Sequence, residues 1–210
     1  MKTFLLAGAV ALAISAGNQA AAVTVANGGF EEPGTFAGAF QNVSALDGWD
    51  VDGNVDLIGS LWVASEGRYS IDLNGTLTAG AISQTVTGLV VGRDYRVLFD
   101  LSGNPDGGPS EKLVQVTIDG ATGDFAYDTA AMNTSRADMM WQESVLAFTA
   151  TSTSALLRFQ STQAPTNFGP ALDNIRIVAA VVPLPATGLM LLGGLVAGGL
   201  LGRRLRSARG

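Results

Sequence analysis

Tyr95-Arg96-Val97-Leu98-Phe99-Asp100-Leu101 decides how this chain is read. Tyr95, Val97, Phe99 and Leu101 fall on one side, Arg96 and Asp100 on the other, the period of two that marks a half-buried β-strand. The alternation returns in Val114-Gln115-Val116-Thr117-Ile118, in Leu157-Arg158-Phe159-Gln160 and in Asn174-Ile175-Arg176-Ile177. Further strands are predicted over 55–58, 69–73, 81–86 and 142–149. Turn signals separate them: Asn74-Gly75, Asp119-Gly120 and Asn104-Pro105-Asp106-Gly107-Gly108-Pro109. No helical stripe or internal repeat is visible between 23 and 181. Eight or more short antiparallel strands joined by turns predict an all-β, two-sheet sandwich of jelly-roll type.

Composition narrows the chemistry. The 210 residues include no Cys and no His. Disulfide scaffolds, Cys/His zinc sites and His-dependent triads are therefore excluded. All 18 acids lie between Glu31 and Asp173, and over 23–181 they are opposed only by Arg68, Arg93, Arg96, Lys112, Arg136, Arg158 and Arg176. That body carries 7 − 18 = −11. Phosphate backbones would be repelled, so nucleic acid is excluded as a partner.

The two ends read as addresses. Lys2, the apolar run Phe4 to Ile14 and Ala20-Ala21-Ala22 mark residues 1–22 as a secretory signal peptide, engaging the Sec export machinery and signal peptidase. At the other end Val182-Pro183-Leu184-Pro185-Ala186 precedes an apolar stretch over 187–202 and a basic tail over 203–210. A helix over 187–202 would be about 24 Å long, a marginal membrane span with its arginines on the cytoplasmic side. The working domain is left as 23–181.

This tail resembles the VPLPA-CTERM sorting signal, a variant of the PEP-CTERM signals of Gram-negative bacteria. The resemblance implies an exosortase-type enzyme acting at Val182, Pro183, Leu184, Pro185 and Ala186. It also implies an inner-membrane intermediate, then delivery to the cell surface or extracellular matrix. Leu184-Pro185-Ala186-Thr187-Gly188 spells the LPxTG signal of sortases as well, though the preceding Val-Pro fits the VPLPA form better.

The body carries its own ordered motifs: Asn27-Gly28-Gly29-Phe30-Glu31, Gly48-Trp49, Val55-Asp56-Leu57-Ile58-Gly59 and Ile71-Asp72-Leu73-Asn74-Gly75. Ile82-Ser83-Gln84-Thr85, Ser102 to Pro109, Met140-Trp141 and Gly169-Pro170-Ala171-Leu172-Asp173-Asn174-Ile175 complete the series. Together they resemble the choice-of-anchor C family of exported bacterial proteins, similar to galactose-binding-like sandwiches and carbohydrate-binding modules. The resemblance implies a surface binding role and one structural calcium, held by Glu31 and Asp173 with the backbone near Asn27.

An EF-hand over Asp50–Leu61 fails, because Val55 and Leu61 stand where Gly and Glu are required. The stretch reads better as an acidic turn entering a strand. Sugar rings stack on aromatic faces, which makes Trp62 and Tyr127 candidates, while Asn104 and Asp106 are candidate hydroxyl partners on a loop. No pair of acids is singled out for hydrolysis. The expected function is polysaccharide binding without catalysis. The rivals are a matrix or biofilm protein making protein contacts only, and a surface glycan hydrolase.

Overall fold

The computed structural model describes residues 23–32 and 37–180. The signal peptide over 1–22 and the sorting signal over 182–210 lie outside the described residues. The chain divides into a unit ending at Val178 and a second beginning at Ala179; the first is the one described below.

The described residues form strands and turns without a helix. The strands are β1 (Phe40–Val43), β2 (Asp50–Asp52), β3 (Val55–Ile58), β4 (Ser70–Asp72), β5 (Ala81–Thr87) and β6 (Asp94–Gly103). They continue with β7 (Glu111–Ile118), β8 (Ala121–Asp128), β9 (Gln142–Thr149), β10 (Ser154–Ser161) and β11 (Pro170–Ala179). A six-stranded sheet runs β1-β3-β4-β11-β6-β9, and a five-stranded sheet runs β2-β5-β10-β7-β8. Strands pair antiparallel in both sheets. The expected two-sheet sandwich is the fold.

Its core lies where the alternating apolar sets face each other. Phe99 of the larger sheet meets Phe159 and Phe125 of the smaller one edge-on, at 5.1 and 5.0 Å between ring centres. Edge-to-face packing of this kind adds to the burial of the rings themselves. β7 and β10 show the period directly, with Val114, Val116, Ile118, Leu157 and Phe159 buried between half-exposed neighbours.

β6 changes character halfway. It alternates up to Val97, then is buried on both faces from Phe99 to Gly103. The second face is covered because loops lie across it: Ser102 Oγ donates to the Met139 carbonyl, and Ser65 Oγ to Asp100. A small second core forms on this outer face from Ile58, Trp62, Met139 and Ala171.

β1, β2 and β8 go beyond the predicted strands. β1 and β2 are short edge strands, mostly exposed. β8 contains Gly123, Asp124 and Asp128, poor strand formers taken locally. It forms because Asp119 and Gly120 both adopt positive φ, 48° and 82°, in a tight turn that folds β8 back on β7. The acidic stretch after Trp49 is a crossover: β2 belongs to the small sheet, β3 to the large one, and Gly53-Asn54 turns between them.

Truncating Phe99 to Ala removes the ring that joins the two sheets. Urea denaturation should show a loss of about 3–5 kcal/mol, whereas Leu156→Ala, at an exposed position of β10, should stay within about 0.5 kcal/mol.

Candidate functional site

Directly paired residues of neighbouring strands share a face. Phe40 pairs with Ile58 and Asn42 with Asp56, while Asp56 pairs with Asp72 and Ile58 with Ser70. These side chains therefore stand together on the outer face of the six-stranded sheet, turned away from the main core. Over them opens a cleft of about 220 Å³. Asp56, Ile58 and Asn104 belong to its lining, with Phe40, Asp106, Arg136, Asn167 and Phe168 among the rest.

The lining mixes apolar and polar groups. Phe40 is 51% exposed, a large ring held out on an edge strand. Arg136 donates to Asp106 through Nε and Nη2, both at 2.8 Å, in a two-pronged ion pair. Asp56 accepts from Asn42 Nδ2 at 2.7 Å. Burial pushes the Asp56 carboxyl above its usual range, partly offset by that bond. Such a surface offers a hydrophobic face beside fixed acceptors and donors, the equipment for a polyhydroxylated ligand.

A buried polar hub holds the loops that line the cleft. Asp72 is fully buried and accepts from the Asn74 and Gly169 backbones at 2.9 Å and from Asn104 Nδ2 at 2.8 Å. Lys112, equally buried, donates through Nζ to the carbonyls of Gly107 and Phe168, both at 2.8 Å. Asn104 Oδ1 accepts from the Asp106 backbone, and Asn167 Oδ1 from that of Leu77. Three segments, 74–77, 104–107 and 164–169, are thus fastened to one another beneath the cleft.

The sequence-predicted sugar contacts divide. Asn104 and Asp106 both reach the cleft. Trp62 and Tyr127 do not, and the stacking role expected of them is corrected here. Trp62 is 4% exposed, packs in the outer core and donates Nε1 to Ser70 Oγ. Tyr127 is 2% exposed, and its hydroxyl reaches Thr134 and the Met139 carbonyl. Neither leaves a ring face for a sugar. Phe40, Arg136, Asn167 and Phe168 were missed, for their only signal is a fold that brings distant segments together.

The residues assigned to calcium gather at a different place. Glu31 Oε1 accepts the backbone N–H groups of Arg68 and Tyr69 at 2.8 and 2.9 Å. Asp173 Oδ2 accepts those of Ser65 and Glu66 at 2.8 and 3.0 Å, and Oδ1 that of Asn174. Both acids thus clasp the loop over 65–69. Gly67 suits that loop, with φ at 60° in the left-handed region and the Glu31 carboxylate close against it. The Asn27 side chain instead ties Glu32 to Asp47. Among the described residues no three acidic side chains are grouped to hold an ion. Glu31 and Asp173 remain two oxygen donors of the right kind beside one loop.

Residues 23–178 match the family described as "Protein of unknown function (DUF642)". The chain belongs to the DUF642 family. Halomucin of Haloquadratum walsbyi is 32% identical to this DUF642 chain over 170 residues, which are 76% of the chain and 2% of Halomucin. Among solved structures, a family 35 carbohydrate binding module from Clostridium thermocellum is similar with TM-score 0.46 and 14% identity, covering 68% of this chain and 100% of the module. TmCBM61 in complex with beta-1,4-galactotriose gives 0.48 and 18%, covering 74% and 97%. The CBM22-1 xylan-binding domain from Paenibacillus barcinonensis Xyn10C gives 0.46 and 17%, covering 64% and 87%.

Two buried acids of this DUF642 domain set a pH dependence. Desolvation pushes the carboxyls of Asp72 and Asp173 from 3.8 up to about 7, against the pull of their N–H donors. Between those values the folded chain holds protons that the unfolded chain has released. Stability therefore falls as pH rises through that window. Urea denaturation should give a higher unfolding free energy at pH 5 than at pH 8. Asp72→Asn should make that slope shallower; an unchanged slope would contradict the assignment.

Proposed function

We propose that this DUF642 chain is an exported, non-catalytic surface protein whose outer-sheet cleft binds extracellular polysaccharide. The observation that carries the reading is the exposed Phe40 ring beside Asp56, Asp106 and Arg136 in one cleft. A sugar presents C–H faces and hydroxyls together, and this lining meets both. Binding without hydrolysis is supported by the disposition of the acids. Asp106 is tied to Arg136 and Asp72 is sealed beneath the loops. Among the described residues Asp56 then has no second uncommitted carboxyl lining the cleft with it, as paired-acid hydrolysis demands.

Delivery follows from the two ends of the sequence. The signal over 1–22 supports Sec export, and the stretch over 187–202 supports an inner-membrane intermediate. The VPLPA-type motif supports release by an exosortase-type enzyme to the surface of a Gram-negative cell, the choice-of-anchor C arrangement. A structural calcium held by Glu31 and Asp173 belongs to the same proposal.

Co-sedimentation of the full chain with the host's extracellular polysaccharide tests the reading. Wild type should pellet with the polymer. Phe40→Ala should weaken retention about tenfold without moving the urea midpoint, because the ring is exposed. A chain that stays in the supernatant while pelleting with matrix proteins would instead be a protein-binding matrix component. For calcium, the melting temperature should rise with the ion and fall back with chelator. No shift would remove the ion from the proposal.

A further inference from the structure

Arg136 is the one cation lining the cleft among the described residues, and Asp106 occupies it through two parallel bonds. Asp56 adds a second carboxyl to the same lining. Most of the other cations of the body are engaged elsewhere. Arg158 pairs with Asp52 and Arg176 with Glu143. Arg68 and Arg93 lie over the rings of Tyr69 and Tyr95. Lys112 is buried with its ammonium on two carbonyls. Arg96 stands near the start of β6, some eight residues, or about 26 Å of extended strand, before Asn104. The ligand face therefore offers two carboxyls against one guanidinium, inside a body of strongly negative charge.

An anionic sugar would meet a guanidinium already neutralised by one carboxyl, and a second carboxyl, Asp56, of its own sign. A neutral sugar meets the same carboxyls as hydroxyl acceptors, each carboxylate having about four acceptor positions. Repulsion of one class and acceptance of the other is how a site discriminates without extra contacts. We infer that the cleft selects an uncharged sugar unit and excludes uronate or sulfated ones, with Asp106 as the specificity-determining residue because it keeps Arg136 occupied. This rests on the cleft being the glycan site.

The test uses the full chain in affinity electrophoresis at fixed ionic strength, through neutral galactan, xylan and β-glucan and through polygalacturonate. Wild type should be retarded by at least one neutral polymer and roughly tenfold less by polygalacturonate. Asp106→Asn frees the guanidinium, so retardation by polygalacturonate should rise about tenfold and decline again between about 50 and 200 mM salt. Arg136→Gln added to Asp106→Asn should abolish that gain. Asp56→Asn, which removes the unneutralised carboxyl while keeping the side-chain shape, is the second variant and should also raise polygalacturonate retention. The inference is overturned if wild type holds polygalacturonate as well as any neutral polymer, or if both single variants leave the ratio unchanged. Retention by no polymer at all would instead overturn the glycan reading of the cleft.

Discussion

A carboxyl group that has no access to water organises one side of this molecule. Asp72 stands in the middle of the six-stranded sheet, on the face away from the main core, and has no exposed surface. An acid in that position is tolerable only when its oxygens are surrounded by donors. Here those donors come from Asn74, Asn104 and Gly169, on segments far apart in sequence. Satisfying one side chain fixes the relative positions of three loops. Lys112 works from the opposite sign, its ammonium needing acceptors and finding them in the Gly107 and Phe168 carbonyls of two of those loops. Part of the cleft above follows from this arrangement, for Thr76, Asn104, Asp106, Asn167 and Phe168 of its lining sit on the loops that the two buried groups hold.

The outer face of the larger sheet is accordingly neither a water-facing surface nor a core in the ordinary sense. One part is apolar, where Ile58, Trp62, Met139 and Ala171 close together. Another part is a line of acids, Asp56 and Asp72 paired across adjacent strands, with Asp100 and Asp173 further along. Asp100 takes Ser65 and Asn174, and Asp173 takes the Ser65-Glu66 backbone. Loops cover this face because its acids need N–H and O–H donors that neighbouring strands, already paired with one another, do not supply.

This explains what was legible in the sequence. Period-two alternation marked the long strands well, since the two sides of Val114–Ile118 meet different surroundings. It failed for β8, where a turn and a partner strand override weak local propensity. Among the residues that line the cleft, Asn104 and Asp106 were legible because a proline- and glycine-rich loop announces itself. Trp62 and Tyr127 misled because aromatic identity says nothing about which side of a covered sheet a ring occupies. Arg136 and Phe40 had no local mark at all. Their place depends on Asp106 reaching across 30 residues and on an edge strand recruited by β3.

The position of the last strand has a mechanical consequence. β11 lies inside the larger sheet, between β4 and β6, and does not occupy its margin. Tension arriving through the chain beyond Ala179 would pull along β11 and load the ladders on both sides at once. Bonds loaded together in shear must yield together, whereas a strand peeled from an edge releases them one after another. A pull on that end would thus be borne by a strand inside the sheet and not by one at its margin.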